Sequence, residues 1–211
     1  MENEELIRDI IIENAIRLIA EGGFEKATTK MLAHSSETNP DFKMNEVYIY
    51  RLFGSKENVF EAAFLRLDLE IFNAFNNAVR KIDNGGTKTK EDLYKLFLKA
   101  WNFVVGNEVR FRCYVRYYYS IYFKDNSLAV HSEHFEKIIS VFKPFFKEEA
   151  EVGAIMHSVF TTLIDFAVRV YNGELSNDEN NVPHIFNVLY CMMATYFKNA
   201  KNPFDGLILE D

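Results

Sequence analysis

Proline and glycine are scarce in this chain of 211 residues, at four and nine. Little in the composition interrupts long helices or supplies the many turns of an all-β fold. Cysteine is scarcer still. Cys113 and Cys191 have neither metal-ligand spacing nor a disulfide framework around them, which argues against a cysteine-built metal site and predicts two reduced thiols packed in the interior. No apolar run approaches the roughly 20 residues needed to cross a bilayer, and the opening Met-Glu-Asn-Glu-Glu lacks the basic region of a signal peptide. The expectation is a cytoplasmic protein with no membrane partner. Basic charge is also in deficit: a net charge of −7 argues against indiscriminate nucleic-acid binding over the whole surface. What the chain does have is apolar and aromatic substance, 48% and 15% of residues, enough for a substantial core. An all-α fold of about nine helices is predicted.

The spacing of Ile7, Ile11, Ala15, Leu18 and Ile19 predicts a first helix over 4–21 with one buried stripe, stopped at Gly22-Gly23. Thr28 or Thr29 can cap a short second helix whose Met31, Leu32 and Ala33 face a small core. Asn39-Pro40-Asp41 signals a turn, and Asn45 is placed to cap a third helix over 46–52, in which Val47, Ile49 and Phe53 are read as core. Gly54 ends that helix. Ser55 caps a fourth, running from Lys56 to about Asn84, with Val59, Phe60, Ala63, Phe64 and Leu67 on its apolar face. After Asn84-Gly85-Gly86, further helices are predicted up to Gly106, over 109–123, from Leu128 to Pro144, over 145–171 and over 183–199, the last entered through the capping-box spacing Ser176 to Glu179.

Gly23-Phe24, Thr28-Thr29, the short helix and Tyr50-Arg51-Leu52-Phe53-Gly54-Ser55-Lys56-Glu57 together resemble the N-terminal domain of the TetR family of transcriptional regulators. That family's usual pattern is helix, Gly-Phe, Thr-Thr, short helix, then Tyr-x-x-Phe-x-Ser-Lys-Glu. The chain departs from it in a lengthened segment, Ser35 to Lys43. The resemblance implies a helix-turn-helix that enters the major groove of operator DNA. Asn45, Glu46 and Tyr48 would then face base edges, with Tyr50 and Thr29 on phosphates. Lys56, in the first turn of the fourth helix, is unfavourable to the helix dipole unless an anion compensates, and Lys43 can reach the flanking backbone from the long loop. Acidic residues outnumber basic ones before Arg66, so an alternative stays open: a helical ligand sensor or interaction module on the same fold, without DNA recognition.

By role, 1–54 is expected to be the DNA-binding domain, sharing core with the start of the fourth helix, and 55–211 the effector-binding and dimerisation domain. Trp101, Arg112, Arg116, Tyr117 and Tyr118 belong to an aromatic and basic cluster that can orient a small-molecule effector, with plain core filling the alternative for each. His157, on an apolar face, is read as an interior histidine and counted with them. The last two helices are apolar nearly all round, which predicts a homodimer joined through Val159, Phe160, Leu163, Phe186, Leu189 and Met193. Asp165 is read as a pocket or buried paired carboxylate. His131 and His134, three apart, lack a third metal ligand and are expected on a solvated face. No nucleophile, base and orienting group assemble, so no enzyme activity, cofactor or metal is expected.

Overall fold

The computed structural model describes residues 2–34, 44–80 and 89–198. Among them are the helices α1 (Glu2–Lys26), α2 (Thr29–Leu32), α3 (Val47–Phe53), α4 (Lys56–Arg80), α5 (Lys90–Gly106), α6 (Glu108–Tyr118), α7 (Asp125–Phe142), α8 (Val152–Tyr171) and α9 (Asn181–Ala194), with a 3-10 turn at Lys143–Phe145. There is no β-strand among the described residues; a lone antiparallel bridge pairs Phe146 with Phe197. The chain is all-α. The turns expected at Asn39-Pro40-Asp41 and Asn84-Gly85-Gly86, the site residue Lys43 and the last residue of the predicted final helix lie outside the described residues.

Local chemistry sets most boundaries. Gly23 breaks α1 with φ 77, a left-handed conformation that glycine adopts without a Cβ clash. Thr28 caps α2 by accepting the Met31 amide, and Ser55 caps α4 by accepting the Asn58 amide at 3.1 Å. Several boundaries differ from expectation: α1 runs on to Lys26, α7 starts at Asp125 and α9 ends at Ala194. Helix α6 ends at Tyr118, because the Ser120 hydroxyl takes the Tyr117 carbonyl at 2.7 Å. Residues 146–151 are non-helical, since the Lys147 amide donates to the Tyr196 carbonyl instead. Ahead of α9, Asp178 Oδ1 accepts the amides of Asn180 and Asn181.

Packing divides the chain into two compact units. One takes the chain up to Ala74 together with Gly106–His134. Its centre is α1, where Ile7, Ile11, Ala15, Leu18 and Ile19 are buried as their spacing requires, but so are Ile12, Ile16 and Ala20. α1 is buried on more than one side because α2 and α3 pack against it as well as α6, its most extensive partner. Its acids are neutralised at the surface. Arg66 pairs with Asp9 and Glu13, and Arg110 with Glu13 at 3.1 Å and Glu70 at 3.3 Å. Burial pushes the Glu70 carboxyl above its ordinary value against the lowering effect of Arg110.

The second unit takes Phe75–Val105 and the chain from Phe135 onward. Its core gathers Phe142, Phe146, Val152, Met156 and Met193. Helix α5 covers α9: the Phe186 ring packs on Tyr94 at 4.9 Å and Phe97 at 5.5 Å. This corrects the expected dimer surface. Leu163, Phe186, Leu189 and Met193 are buried inside the subunit: aromatic side chains of α5 cover Phe186, and Met193 joins the core with Phe142 and Met156. Val159 packs half-buried against the core, and Phe160 is half-buried too. The exposed side chains of α9 are His184, Asn187, Val188 and Cys191, so Cys191 is not the interior thiol expected, whereas Cys113 is buried. Helix α8 is long and apolar enough to cross a bilayer by length and composition alone. It also exposes Ser158, Asp165 and Arg169, which puts Asp165 in solvent.

Candidate nucleic-acid interface

Helix α3 has one inward and one outward side. Ile49 and Phe53 are buried, while Val47 is 66% and Tyr50 58% exposed. Two sequence readings change here: Val47 is not core, and Met31 on α2 is exposed while its neighbours Leu32 and Ala33 are buried. The lengthened segment between α2 and α3 does not leave these helices unanchored, because polar side chains of α1 hold both C-terminal ends. Asn14, buried, donates through Nδ2 to the carbonyls of Leu32 and His34 at 2.9 Å each. Arg8 donates to the Leu52 carbonyl at 2.8 Å and lies over the Phe53 ring at 4.4 Å. A cation and amide donors at helix C-termini satisfy carbonyls that the helix leaves unpaired. Asn58 adds a third tie, to the Phe53 carbonyl at 2.6 Å. Neither Arg8 nor Asn14 was singled out from the sequence. An asparagine inside the apolar stripe of α1 was the available signal.

Most polar residues expected at DNA already have partners in the chain. The Thr29 hydroxyl donates to the Glu46 carboxylate, joining the start of α2 to the start of α3. The Asn45 Oδ1 accepts the Val47 amide at 3.1 Å, just before α3. Arg51 pairs with Glu4 at 3.1 Å and covers the half-buried Tyr48 ring at 4.6 Å. Tyr50 stands outward, and Lys56 sits half-buried at the first position of α4 with Nζ 5.5 Å from the Phe60 ring centre. Several N-terminal acids are held in internal pairs: Glu4 with Arg51, Asp9 and Glu13 with Arg66, Glu21 with Arg17.

The expected effector residues divide between the two units. Trp101 is fully buried, with Nε1 donating to Asn177 Oδ1 at 2.8 Å, and His157 is exposed, its ring edge-on to Phe135. Both belong to the second unit; His157 is therefore not an interior histidine. Arg112, Arg116, Tyr117 and Tyr118 lie on α6 in the first. Arg116 donates to the Ile19 carbonyl of α1 at 3.0 Å, and Arg112 pairs with Glu108 at 2.7 Å. Tyr117 is buried, stacked on Phe64 at 4.6 Å with its hydroxyl on the Tyr122 carbonyl. Tyr118 is half-buried against Phe123 and His131. Burial raises the phenol pKa values of both.

One polar cluster of the first unit overturns an expectation. Asp68 of α4, 4% exposed, accepts from His131 Nδ1 at 2.7 Å on one oxygen and His134 Nδ1 at 2.6 Å on the other. These histidines do not lie on a solvated face. The Tyr114 hydroxyl is 3.4 Å from His131 Nδ1, and burial, then the Asp68 charge, hold its phenol well above the ordinary value. His134 also stacks on Phe72 at 4.5 Å. No group of three or more His, Cys, Asp or Glu residues suited to a metal ion occurs among the described residues.

Residues 11–63 match the family described as bacterial regulatory proteins, tetR family. No curated protein matches the chain. Among solved structures, the fold is similar to a TetR family transcription regulator from Marinobacter aquaeolei VT8, at 13% identity and TM-score 0.69, covering 90% of this chain and 97% of that one. A TetR-like transcriptional regulator from Rhodococcus sp. RHA1 gives 16% identity and TM-score 0.60 over 89% of this chain and 94% of that one. The fatty acid degradation regulator FadR from Bacillus halodurans gives 16% and 0.60 over 86% and 96%.

Proposed function

We propose, for a chain that carries the N-terminal domain of the TetR family of bacterial regulatory proteins and the fold of its regulators, that it is a homodimeric transcriptional repressor released or recruited by a small molecule. The observation that carries the DNA-binding part is the outward side of α3: Tyr50 and Val47 are exposed while Ile49 and Phe53 fix the opposite side. Tyr50 and Lys56 contact phosphates, and the 1–54 segment presents α3 to the major groove. Two subunits joined through α8 and α9 set their reading helices about 34 Å apart, one turn of DNA. Within those helices the contact falls on Val188, Cys191, Val159 and Phe160, which the subunit does not bury. An effector bound within 55–211 biases α4, and a coupling of about 1 to 3 kcal/mol changes operator affinity roughly 5- to 150-fold.

The test is a titration of the full chain against its own upstream DNA over a range of salt concentrations. Tight binding that weakens steeply with salt is the expected result, and a slope near zero removes the phosphate contacts. The hold of Glu46 on Thr29 and the net charge of −7 favour the second reading, a helical sensor without DNA recognition. Absence of any specific duplex leaves that reading standing and the regulator rejected.

A further inference from the structure

We infer that Val47 selects a thymine in the operator by packing its side chain on the C5 methyl group in the major groove, an inference that rests on the DNA-binding reading above. Val47 is the most exposed large apolar side chain of α3, at 66%. It has no part in holding the helix, which Ile49, Phe53 and the Arg8 and Asn58 bonds already anchor. A branched apolar side chain left in water at this place is a cost to the free protein.

The chemistry around it narrows what that side chain can meet. Hydrogen-bonded reading of a base edge needs polar tips available to the base. At the start of α3 two of those tips are engaged, Asn45 Oδ1 by the Val47 amide and Glu46 by the Thr29 hydroxyl, and in its last turn Arg51 pairs with Glu4. Beside the outward Tyr50, apolar surface also stands exposed, Val47 on α3 and Met31 on α2. The thymine methyl is the apolar feature of the major-groove edge, absent from the other bases. Val47 is also stiff at χ1, so little rotamer freedom is lost when it is covered.

The probe is a duplex selected from a random library by the full-length wild-type protein, with each thymine of one half-site replaced in turn by deoxyuridine, which lacks only the methyl. At one position the wild type should lose about fourfold in affinity, the value of one buried methyl. Val47→Ala should lose nothing at that position and be weaker on the unmodified duplex. Val47→Ile, which keeps the branched contact, should retain the loss. Circular dichroism of both variants should match the wild type, since the side chain is exposed. If the selected duplex binds tightly but no replacement matters, or the loss is the same in Val47→Ala, thymine reading by Val47 is overturned while DNA binding stands. If no duplex is enriched over random sequence, both are rejected.

Discussion

His134 Nδ1 stands 2.6 Å from Asp68 Oδ2, while His131 Nδ1 stands 2.7 Å from the other oxygen of the same buried carboxylate. Two imidazoles from α7 thus solvate a charge on α4 that water does not reach. Replacing either histidine by alanine should cost about 1.5 to 3 kcal/mol, the range for hydrogen bonds to charged groups. Replacing both leaves the carboxylate to Tyr114 and should cost about 3 to 5 kcal/mol. Urea unfolding at neutral pH reads these values. Losses within about 0.5 kcal/mol of wild type, the range of ordinary surface changes, would show that the cluster adds no stability.

Lys56 and Glu46 should move DNA affinity in opposite directions. Lys56→Ala should weaken binding to every duplex and lower the salt slope by about 1, as expected of one lost phosphate contact. Glu46→Ala removes a negative charge and releases the Thr29 hydroxyl, so it should strengthen binding at low salt. A Glu46→Ala variant that binds more weakly on all duplexes would mean that the carboxylate serves the interface directly.

Cys113 is a built-in reference for Cys191. Burial pushes the Cys113 thiol up to about 12, so it should stay unmodified by thiol reagents until the protein unfolds. Cys191 is exposed on α9 and should react quickly in dilute protein. Dimerisation through α9 should slow that reaction as protein concentration rises. Equal rates at all concentrations would place the dimer contact elsewhere.

The pH dependence of Glu70 has a defined sign. Its carboxyl is raised above 4.5 in the folded chain by burial, so the folded state holds that proton more tightly than the unfolded state. Its favourable contribution is complete below the unfolded value and is lost as pH rises through the folded one. Glu70→Gln removes that dependence. Measured from about pH 4 to 7, the stability of Glu70→Gln relative to wild type should improve as pH rises. A difference that stays flat, or runs the other way, would show that the Arg110 pairing outweighs burial.

The helical spacing of Ile7, Ile11, Ala15, Leu18 and Ile19, the caps at Thr28 and Ser55, and the inward Ile49 and Phe53 were legible because each is a local pattern with a local cause. Val47 and Met31 misled because spacing on so short a helix does not say which apolar residue faces the protein. The covering of Phe186 by Tyr94 and Phe97 joins distant parts of the chain and leaves no period to read. Asp68 and His131 are 63 positions apart, Arg8 and Leu52 44. Polar partnerships at such separations carry no signature in either neighbourhood, which is why the ties that orient α2 and α3 appeared only in three dimensions.

Helix α1 touches α2 and α3 as well as α6, and its apolar residues are spread round its circumference to suit. The helix-turn-helix therefore has no separable back wall. Expressing it alone, without α6, would bare isoleucines to water and yield a sticky fragment, and any displacement of α6 must be felt at α2 and α3 without an intervening hinge.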